Sequence, residues 1–144
     1  MPTVTDVMTR NVRTLASSAT IAQAAKAMAE LNVGVIPVCD GDKLLGVVTD
    51  RDIVLRAVAR GLDSKTTLAD VMSTKVRTAT ETADLDDVLQ EMSANQIRRL
   101  PVVDSASRLV GIISLGDIAI KGKDEKDVGQ SLGEISAPTN PARK

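Results

Sequence analysis

The sequence of 144 residues contains no histidine, phenylalanine, tyrosine or tryptophan. Because histidine is the commonest general base and the commonest ligand of transition metals, its absence argues against an enzyme and against a metal site. Because single-stranded nucleic acids bind largely by stacking bases on aromatic rings, the lack of rings argues against that class of partner. A net charge of −1 also gives no basic surface for nucleic acid or an anionic membrane.

Cysteine and long apolar segments are equally scarce. The single cysteine, Cys39, excludes an internal disulfide framework, and its position in a β-branched run predicts a buried strand residue, with a redox sensor as the alternative. No apolar run approaches the length of a membrane span, and the amino-terminal MPTVTDVMTR lacks the apolar core of a signal peptide. The composition, 43% apolar and 26% charged, is that of a globular protein, for which we expect a cytoplasmic location.

What the chain does contain is one sequence unit written twice. The triplet DVM recurs 64 residues later, and the second half of the unit recurs after 65 because one residue is inserted in a turn. A unit of about 60 residues is marginal as an isolated fold, so we expect the two copies to share a core. The matched segments are DVM at 6 and 70, VRT at 12 and 76, PV at 37 and 101, and GVVTDRDI at 46 with GIISLGDI at 111.

Each copy predicts the element order β-α-β-β-α, with the second helix beginning at the repeated phrase. Thr20 with Gln23, and Asp84 with Asp87, are expected to cap the first helix of each copy. We place the first repeat at residues 1–62, a connector at 63–69, the second repeat at 70–123, and a polar, partly disordered tail at 124–144. The predicted strands are 12–15, 35–39 and 44–48 in the first copy, and 76–79, 100–103 and 109–113 in the second.

The ordered set of motifs, occurring twice over residues 4–122, resembles a pair of cystathionine β-synthase (CBS) domains, a Bateman module. The resemblance implies an α/β (α+β) fold in which two CBS repeats pack as a pseudo-two-fold module. It further implies regulation without catalysis, a homodimer, and an unknown effector protein acted on in trans. Relatives bind adenosine-containing ligands in the cleft between the repeats, so the expected ligand is AMP, ADP or ATP, with S-adenosylmethionine or NADH as alternatives.

The repeated phrase supplies a hydroxyl and, three residues later, a carboxylate: Thr49 with Asp52, and Ser114 with Asp117. A hydroxyl at a helix start can donate to phosphate, and a carboxylate can accept both hydroxyls of a ribose. The same spacing is also a helix capping box that needs no ligand. The residues leave both interpretations open, and the resemblance favours binding.

Basic residues distinguish the two copies. Arg98 and Arg99 precede a strand at a position where relatives contact phosphate, whereas the first copy has Gly34 and Val35 there and offers Arg51 as compensation. We therefore favour the cleft formed by Ser114, Asp117 and the arginine pair. Apolar and backbone contacts to adenine are expected from Val33, Gly34, Val35, Val47 and Ile112.

Two further pairs have open roles. Arg13 and Arg77 could face solvent, meet phosphates of a longer nucleotide, or fill the cleft and block it. Met8 and Met72 could line purine pockets or belong to the core. The sequence thus predicts an energy-sensing adenine-nucleotide module that signals through a change of conformation or assembly. Its alternative is a dimeric interaction module whose clefts stay empty.

Overall fold

The computed structural model describes residues 2–121, except for the side chain of Lys121; the predicted tail at 124–144 lies outside the described residues. No helix within the described part of the chain is long and apolar enough to cross a membrane. In chain order the elements are α1 (Val4–Val7), α2 (Ile21–Leu31), β1 (Val35–Asp40), β2 (Lys43–Thr49), α3 (Asp50–Ile53), a π-helical turn (Val54–Val58), a 3-10 turn (Leu68–Asp70), β3 (Ala79–Thr80), α4 (Leu85–Asn95), β4 (Arg99–Val103), β5 (Leu109–Ser114) and α5 (Leu115–Lys121).

The chain divides into two compact units that do not follow the repeat boundaries. The first-repeat unit consists of Val12–Arg77 together with Ser105–Leu109, and the second-repeat unit consists of residues 2–11, 78–104 and 110–121. The amino-terminal segment therefore belongs to the unit of the second repeat. The predicted boundaries at 62 and 70 describe the sequence repeat and stay a prediction.

In the first-repeat unit, β1 and β2 form an antiparallel hairpin with an irregularity between Val38 and Cys39. Its turn, DGDK, has Gly41 at a positive φ of 61°, a conformation that glycine adopts without strain. Helix α2 packs an apolar face on this hairpin. Of the face that its spacing predicts, Ile21, Ala24 and Met28 are buried, whereas Ala25 and Leu31 are exposed and Ala27 is buried instead. The core cluster of the unit contains Ile21, Ala24, Ala27, Met28, Ile36, Val38, Val48, Ala57, Leu68 and Val71.

In the second-repeat unit, β3, β4 and β5 form a three-stranded sheet in that order, with β3 parallel to β4. The buried apolar residues of the described chain form one cluster within each unit, and the core that we expect the two copies to share stays a prediction. The cluster of this unit contains Val4, Val7, Met8, Ala79, Leu85, Val88, Leu89, Met92, Leu100, Val102, Ile113, Leu115 and Ile118.

Helix α2 begins as the sequence predicts. The Thr20 hydroxyl accepts the Gln23 N–H at 3.1 Å, and the Gln23 side chain accepts the Thr20 N–H at 2.8 Å. Asp84 does occupy the N-cap of α4, but its side chain makes no capping hydrogen bond. Both helices end on a left-handed residue at matching positions, Asn32 and Gln96.

The predicted opening strands are shorter than expected. In the first copy only Leu15 pairs, through a parallel bridge to Val38, because a left-handed Asn11 precedes this run and a turn follows it at Ser17. In the second copy the strand lies at Ala79–Thr80 rather than 76–79. The order β-α-β-β-α is thus complete in the second copy, whereas the first strand of the first copy is one bridge.

The connector is bonded to its own repeat. Ile21 N–H donates to Thr66 O at 2.9 Å, and Leu68 N–H donates to Ala19 O at 2.8 Å, at the start of α2. Cys39 is a buried residue of β1, as predicted, and burial raises the pKa of its thiol, with a smaller contribution from the Asp42 carboxylate.

Candidate ligand-binding site

The hydroxyl and carboxylate of the second copy form a complete capping box at the start of α5. Ser114 N–H donates to Asp117 Oδ2 at 3.0 Å, and Asp117 N–H donates to Ser114 Oγ at 3.0 Å. Both residues are half-buried. The capping interpretation is therefore realised in the structure, and any ligand would have to use carboxylate or hydroxyl capacity that the cap leaves over.

A second hydroxyl, from Thr9, lies beside this box. The backbone of Thr9 bridges that of Ile112, with N–H to O distances of 2.8 and 3.0 Å, and Thr9 Oγ1 lies 3.5 Å from Asp117 Oδ2. The close approach requires Gly111, because a Cβ there would lie 2.7 Å from Thr9 O. We did not predict Thr9, although a hydroxyl follows each DVM triplet at the repeat offset.

The predicted arginine pair borders the same place. Arg98 O accepts the N–H of Leu115, the first residue of α5, at 2.8 Å, and Arg99 begins β4. Both arginines are exposed. The second-repeat unit thus places one carboxylate and two hydroxyls at the start of α5, with the backbone of Arg98 beside them. Such groups are suited to ribose, and the use of the arginine side chains for phosphate stays a prediction.

The first copy repeats this geometry. Thr49 N–H donates to Asp52 Oδ2 at 2.9 Å, and Asp52 N–H donates to Thr49 Oγ1 at 3.0 Å. Ser73 takes the place of Thr9: its backbone bridges Val47, and its Oγ lies 3.5 Å from Asp52 Oδ1. A Cβ on Gly46 would collide with the carbonyl oxygen of Ser73. Ser73 was also absent from our candidates.

The electrostatics of the two copies differ where phosphate is expected. Asp50 N–H donates to Gly34 O at 3.0 Å, and a Cβ on Gly34 would lie 3.1 Å from Asp50 Oδ2. The Asp50 carboxylate, which also accepts the Arg51 N–H at 2.8 Å, therefore lies over the position that matches Arg98. Arg51 is exposed. A carboxylate there repels an anion, which supports the predicted ranking of the two copies.

A cation that we did not predict contacts the carboxylate of the first copy. Arg56 Nε lies 3.7 Å from Asp52 Oδ1, and Arg56 Nη1 lies 3.4 and 3.3 Å from the carbonyl oxygens of Val71 and Met72. The signal in the sequence is the i, i+4 spacing of a carboxylate and an arginine at the start of a helix.

The apolar candidates Val33, Val35, Val47 and Ile112 are half-buried, as is Gly34. Val33 packs against the core of the first-repeat unit. The predicted combination of residues 33–35 with Ser114 and Asp117 joins residues of two separate units, and it stays a prediction.

The residues with open roles resolve in part. Arg13 is exposed and lies 3.8 Å from Glu30, and both side chains are half-exposed, so this arginine faces solvent. Arg77 is also exposed. Met8 is a buried member of its core cluster, and Met72 packs partly buried against the other cluster, so packing accounts for both. Within residues 2–121 no group of three carboxylate or thiol side chains is placed to hold a metal ion.

The capping box alone does not mark a binding site, because α1 has the same arrangement, with Thr3 N–H to Asp6 Oδ2 at 2.9 Å. The family comparison carries more weight. The model of the CBS domain matches residues 4–58 and again residues 68–122. The chain belongs to the CBS domain family. Its fold is the α+β architecture of two tandem CBS repeats, a Bateman module, as the sequence predicted.

Relatives of this CBS pair include proteins solved with adenosine compounds. The CBS domain-containing protein YhcV of Bacillus subtilis is 43% identical over 136 residues, which are 94% of this chain and 96% of that protein. The CBS domain pair of MJ0100, solved with 5′-methylthioadenosine and S-adenosyl-L-methionine, is 34% identical with a TM-score of 0.72, covering 83% of this chain and 94% of that one. CBSX2, solved in complex with AMP, is 26% identical with a TM-score of 0.73, covering 83% and 95%.

Proposed function

We propose that this CBS pair is a regulatory module that binds an adenosine-containing small molecule, of the AMP, ADP or ATP class. The observation that carries the proposal is that the two carboxylate oxygens of Asp117 have different hydrogen-bond partners. Its Oδ2 completes the cap, whereas Oδ1 accepts no hydrogen bond from residues 2–120. The Asp117 side chain is half-buried, and Oδ1 is not among the fully buried oxygens, so it retains some contact with solvent. A ribose hydroxyl can therefore bind there without breaking the cap.

The basic pair supports a phosphorylated ligand. Arg98 and Arg99 are exposed at the strand beside α5, within the same unit as Asp117. Two guanidinium groups can neutralise a mono- or diphosphate through charge-assisted hydrogen bonds. The adenosine ligands named for MJ0100 and CBSX2 support the nucleoside part. S-adenosylmethionine and NADH remain alternatives within the same proposal.

Signalling would follow from differential binding. A ligand that binds one arrangement of the module better than another shifts the population toward it, and an effector protein in trans would respond to that change. No catalytic step is part of the proposal. Because the sequence has no histidine and its one cysteine is buried, carboxylates and lysines are the groups that remain for acid–base work.

The test is a calorimetric titration of nucleotide-stripped protein with AMP, ADP, ATP, S-adenosylmethionine and NADH. We expect micromolar affinity for at least one of them, which corresponds to about −8 kcal/mol. Asp117→Asn should abolish or strongly weaken that binding, whereas Asp70→Asn, at an exposed aspartate of the 3-10 turn, should not. Absence of heat and of protection against thermal unfolding with all five compounds would refute the proposal.

The second candidate is assembly, and exposed apolar side chains favour it. Val54, Leu55 and Val58 in the π-helical turn are 53%, 47% and 64% exposed, and Leu62 follows at 39%. A cluster of this kind on a small protein indicates an interface. We propose that a second copy of the chain covers it in a homodimer.

A further inference from the structure

We propose that Arg56 closes the carboxylate of the first copy to ligands, so that each chain binds one adenosine-containing molecule instead of two. The inference rests on the proposed function, because it concerns which of two repeated carboxylates receives the ribose. It begins from a side chain that has no part in the binding proposed above and contacts Asp52.

Arg56 lies one helical turn after Asp52. It contacts both the Asp52 carboxylate and the backbone of the two residues that precede Ser73. Its Nε lies 3.7 Å from Asp52 Oδ1, and its Nη1 donates to the carbonyl oxygens of Val71 and Met72 at 3.4 and 3.3 Å. The Asp52 side chain is 12% exposed and that of Arg56 is 50% exposed. The arginine therefore shields the carboxylate while its outer edge remains in water.

Both oxygens of Asp52 are engaged. Oδ2 accepts the Thr49 N–H at 2.9 Å, and Oδ1 lies 3.5 Å from Ser73 Oγ and 3.7 Å from Arg56 Nε. A ribose presents two adjacent hydroxyls that both donate, so it would have to displace these groups to reach the carboxylate. The cation places its positive charge beside Oδ1, and Ser73 supplies the hydroxyl contact, at the positions that a nucleoside would otherwise occupy.

The second copy differs in its contacts and in its sequence. The contacts of Asp117 with Ser114 and Thr9 both fall on Oδ2. At the position that matches Arg56, the second copy has Lys121, and an ammonium group lacks the planar fork with which a guanidinium contacts several oxygens at once. The residue one helical turn after the carboxylate is therefore a further difference between the copies, beside the arginine pair and Asp50.

The experiment is a calorimetric titration of the full chain with adenosine, on wild type and Arg56→Gln. Adenosine carries both ribose hydroxyls and no phosphate. Because it is uncharged, loss of the Arg56 charge does not by itself change the electrostatic attraction between adenosine and the protein. We expect one site per wild-type chain, lost in Asp117→Asn and kept in Asp52→Asn. Arg56→Gln should raise the stoichiometry to two, and adding Asp52→Asn should return it to one. Arg56→Lys serves as the second variant if the glutamine protein does not fold.

The outcomes separate the two proposals. Two sites in the wild type, or one site in both the wild type and the arginine variants, would overturn the role of Arg56 while leaving the proposed function standing. No binding by the wild type of adenosine or of any of the five compounds named above would overturn the proposed function; a site for adenosine gained in Arg56→Gln and lost with Asp52→Asn would still support the role of Arg56. Absence of adenosine binding in every protein, Arg56→Gln included, would overturn the role of Arg56, and it would overturn the proposed function as well only if the five compounds also failed to bind.

Discussion

The hydroxyl of Thr9 lies 3.5 Å from the carboxylate of Asp117, although 108 residues separate them in the chain. The matching contact in the other unit joins Ser73 to Asp52. In both cases a segment that follows a DVM triplet crosses next to a helix start and adds a hydroxyl to a capping box. The capping box of the second repeat therefore receives a hydroxyl from the amino-terminal segment, which carries Thr9. The capping box of the first repeat receives one from the segment that follows it, which carries Ser73.

The capping boxes should stabilise the fold without any ligand. Ser114→Ala and Thr49→Ala each remove an acceptor for a backbone N–H at 3.0 Å, and each should lower the free energy of unfolding by about 0.5–2 kcal/mol. Thr67→Ala is the matched control, because Thr67 is an N-cap whose side chain makes no capping bond. Urea unfolding followed by circular dichroism gives the values. Equal losses in all three variants would contradict the prediction.

The two glycines that face the crossing segments should not accept a side chain. A Cβ on Gly46 or Gly111 would meet the carbonyl oxygen of Ser73 or Thr9, and backbone gives way poorly. We expect Gly46→Ala and Gly111→Ala to lower the free energy of unfolding by about 1–3 kcal/mol. In Gly116→Ala the nearest atom, Ser114 Oγ, would lie 3.7 Å away, so thermal unfolding should show no loss there. An equal change in the free energy of unfolding in all three variants would contradict the steric conflict at Gly46 and Gly111.

The arginine pair should distinguish a nucleotide from a nucleoside. Replacing Arg98 and Arg99 together by glutamine should lower AMP affinity by about 10–100-fold, since charge-assisted hydrogen bonds contribute roughly 1.5–3 kcal/mol. Adenosine affinity should stay the same. The double variant Arg10→Gln with Arg60→Gln removes the same charge from exposed positions and controls for net charge. Parallel titrations with both ligands measure the effect, and equal losses for AMP and adenosine would contradict it.

The exposed apolar cluster should govern the oligomeric state. Val58 is 64% exposed, and Val58→Glu would place a charge in an interface between two copies. We expect the wild type to be a dimer at micromolar concentration by light scattering after size exclusion, and the variant to be a monomer. Ala59→Glu adds the same charge at the next exposed residue and tests whether charge alone has this effect. A monomeric wild type would end the proposal of a homodimer.

The buried thiol should make stability depend on alkaline pH. Burial, aided by Asp42, raises the pKa of Cys39 in the folded chain above its value in the unfolded chain. A raised folded pKa means that the contribution is complete below the unfolded pKa and is lost as pH rises through the folded pKa. The free energy of unfolding should therefore fall relative to that of Cys39→Val above about pH 8.5. Parallel slopes for the two proteins between neutral and alkaline pH would refute this.

Local patterns in the sequence predicted the local structure well. The spacing of apolar residues located α2 and α4, the DGDK turn located the hairpin, and the hydroxyl-x-x-carboxylate phrase located both capping boxes. These features depend on residues that are close together in the chain. The repeat pattern then led to the family, since two ordered copies are far more specific than one.

Contacts between distant segments were not predictable in the same way. Thr9 lies in the first sequence copy but contacts the carboxylate of the second, and Ser73 lies in the second copy but contacts the carboxylate of the first. Nothing in the sequence next to either residue indicates this exchange. The first strands were overestimated because pairing at Leu15 depends on the turn at Ser17. The neutralisation of Asp52 by Arg56 was missed because repeat alignment emphasises residues that match, whereas this effect comes from residues that differ.

The crossing of the chain between the two repeats has a consequence for how the protein acquires its structure during synthesis. The first-repeat unit is almost one continuous stretch, Val12–Arg77, and can begin to fold as soon as that stretch has left the ribosome. In the other unit, the amino-terminal segment with Val4 and Val7 cannot pack into its core until residues from 78 onward have been synthesised. Closing so long a loop is slow, so the unit that begins the chain should be the last to become resistant to protease.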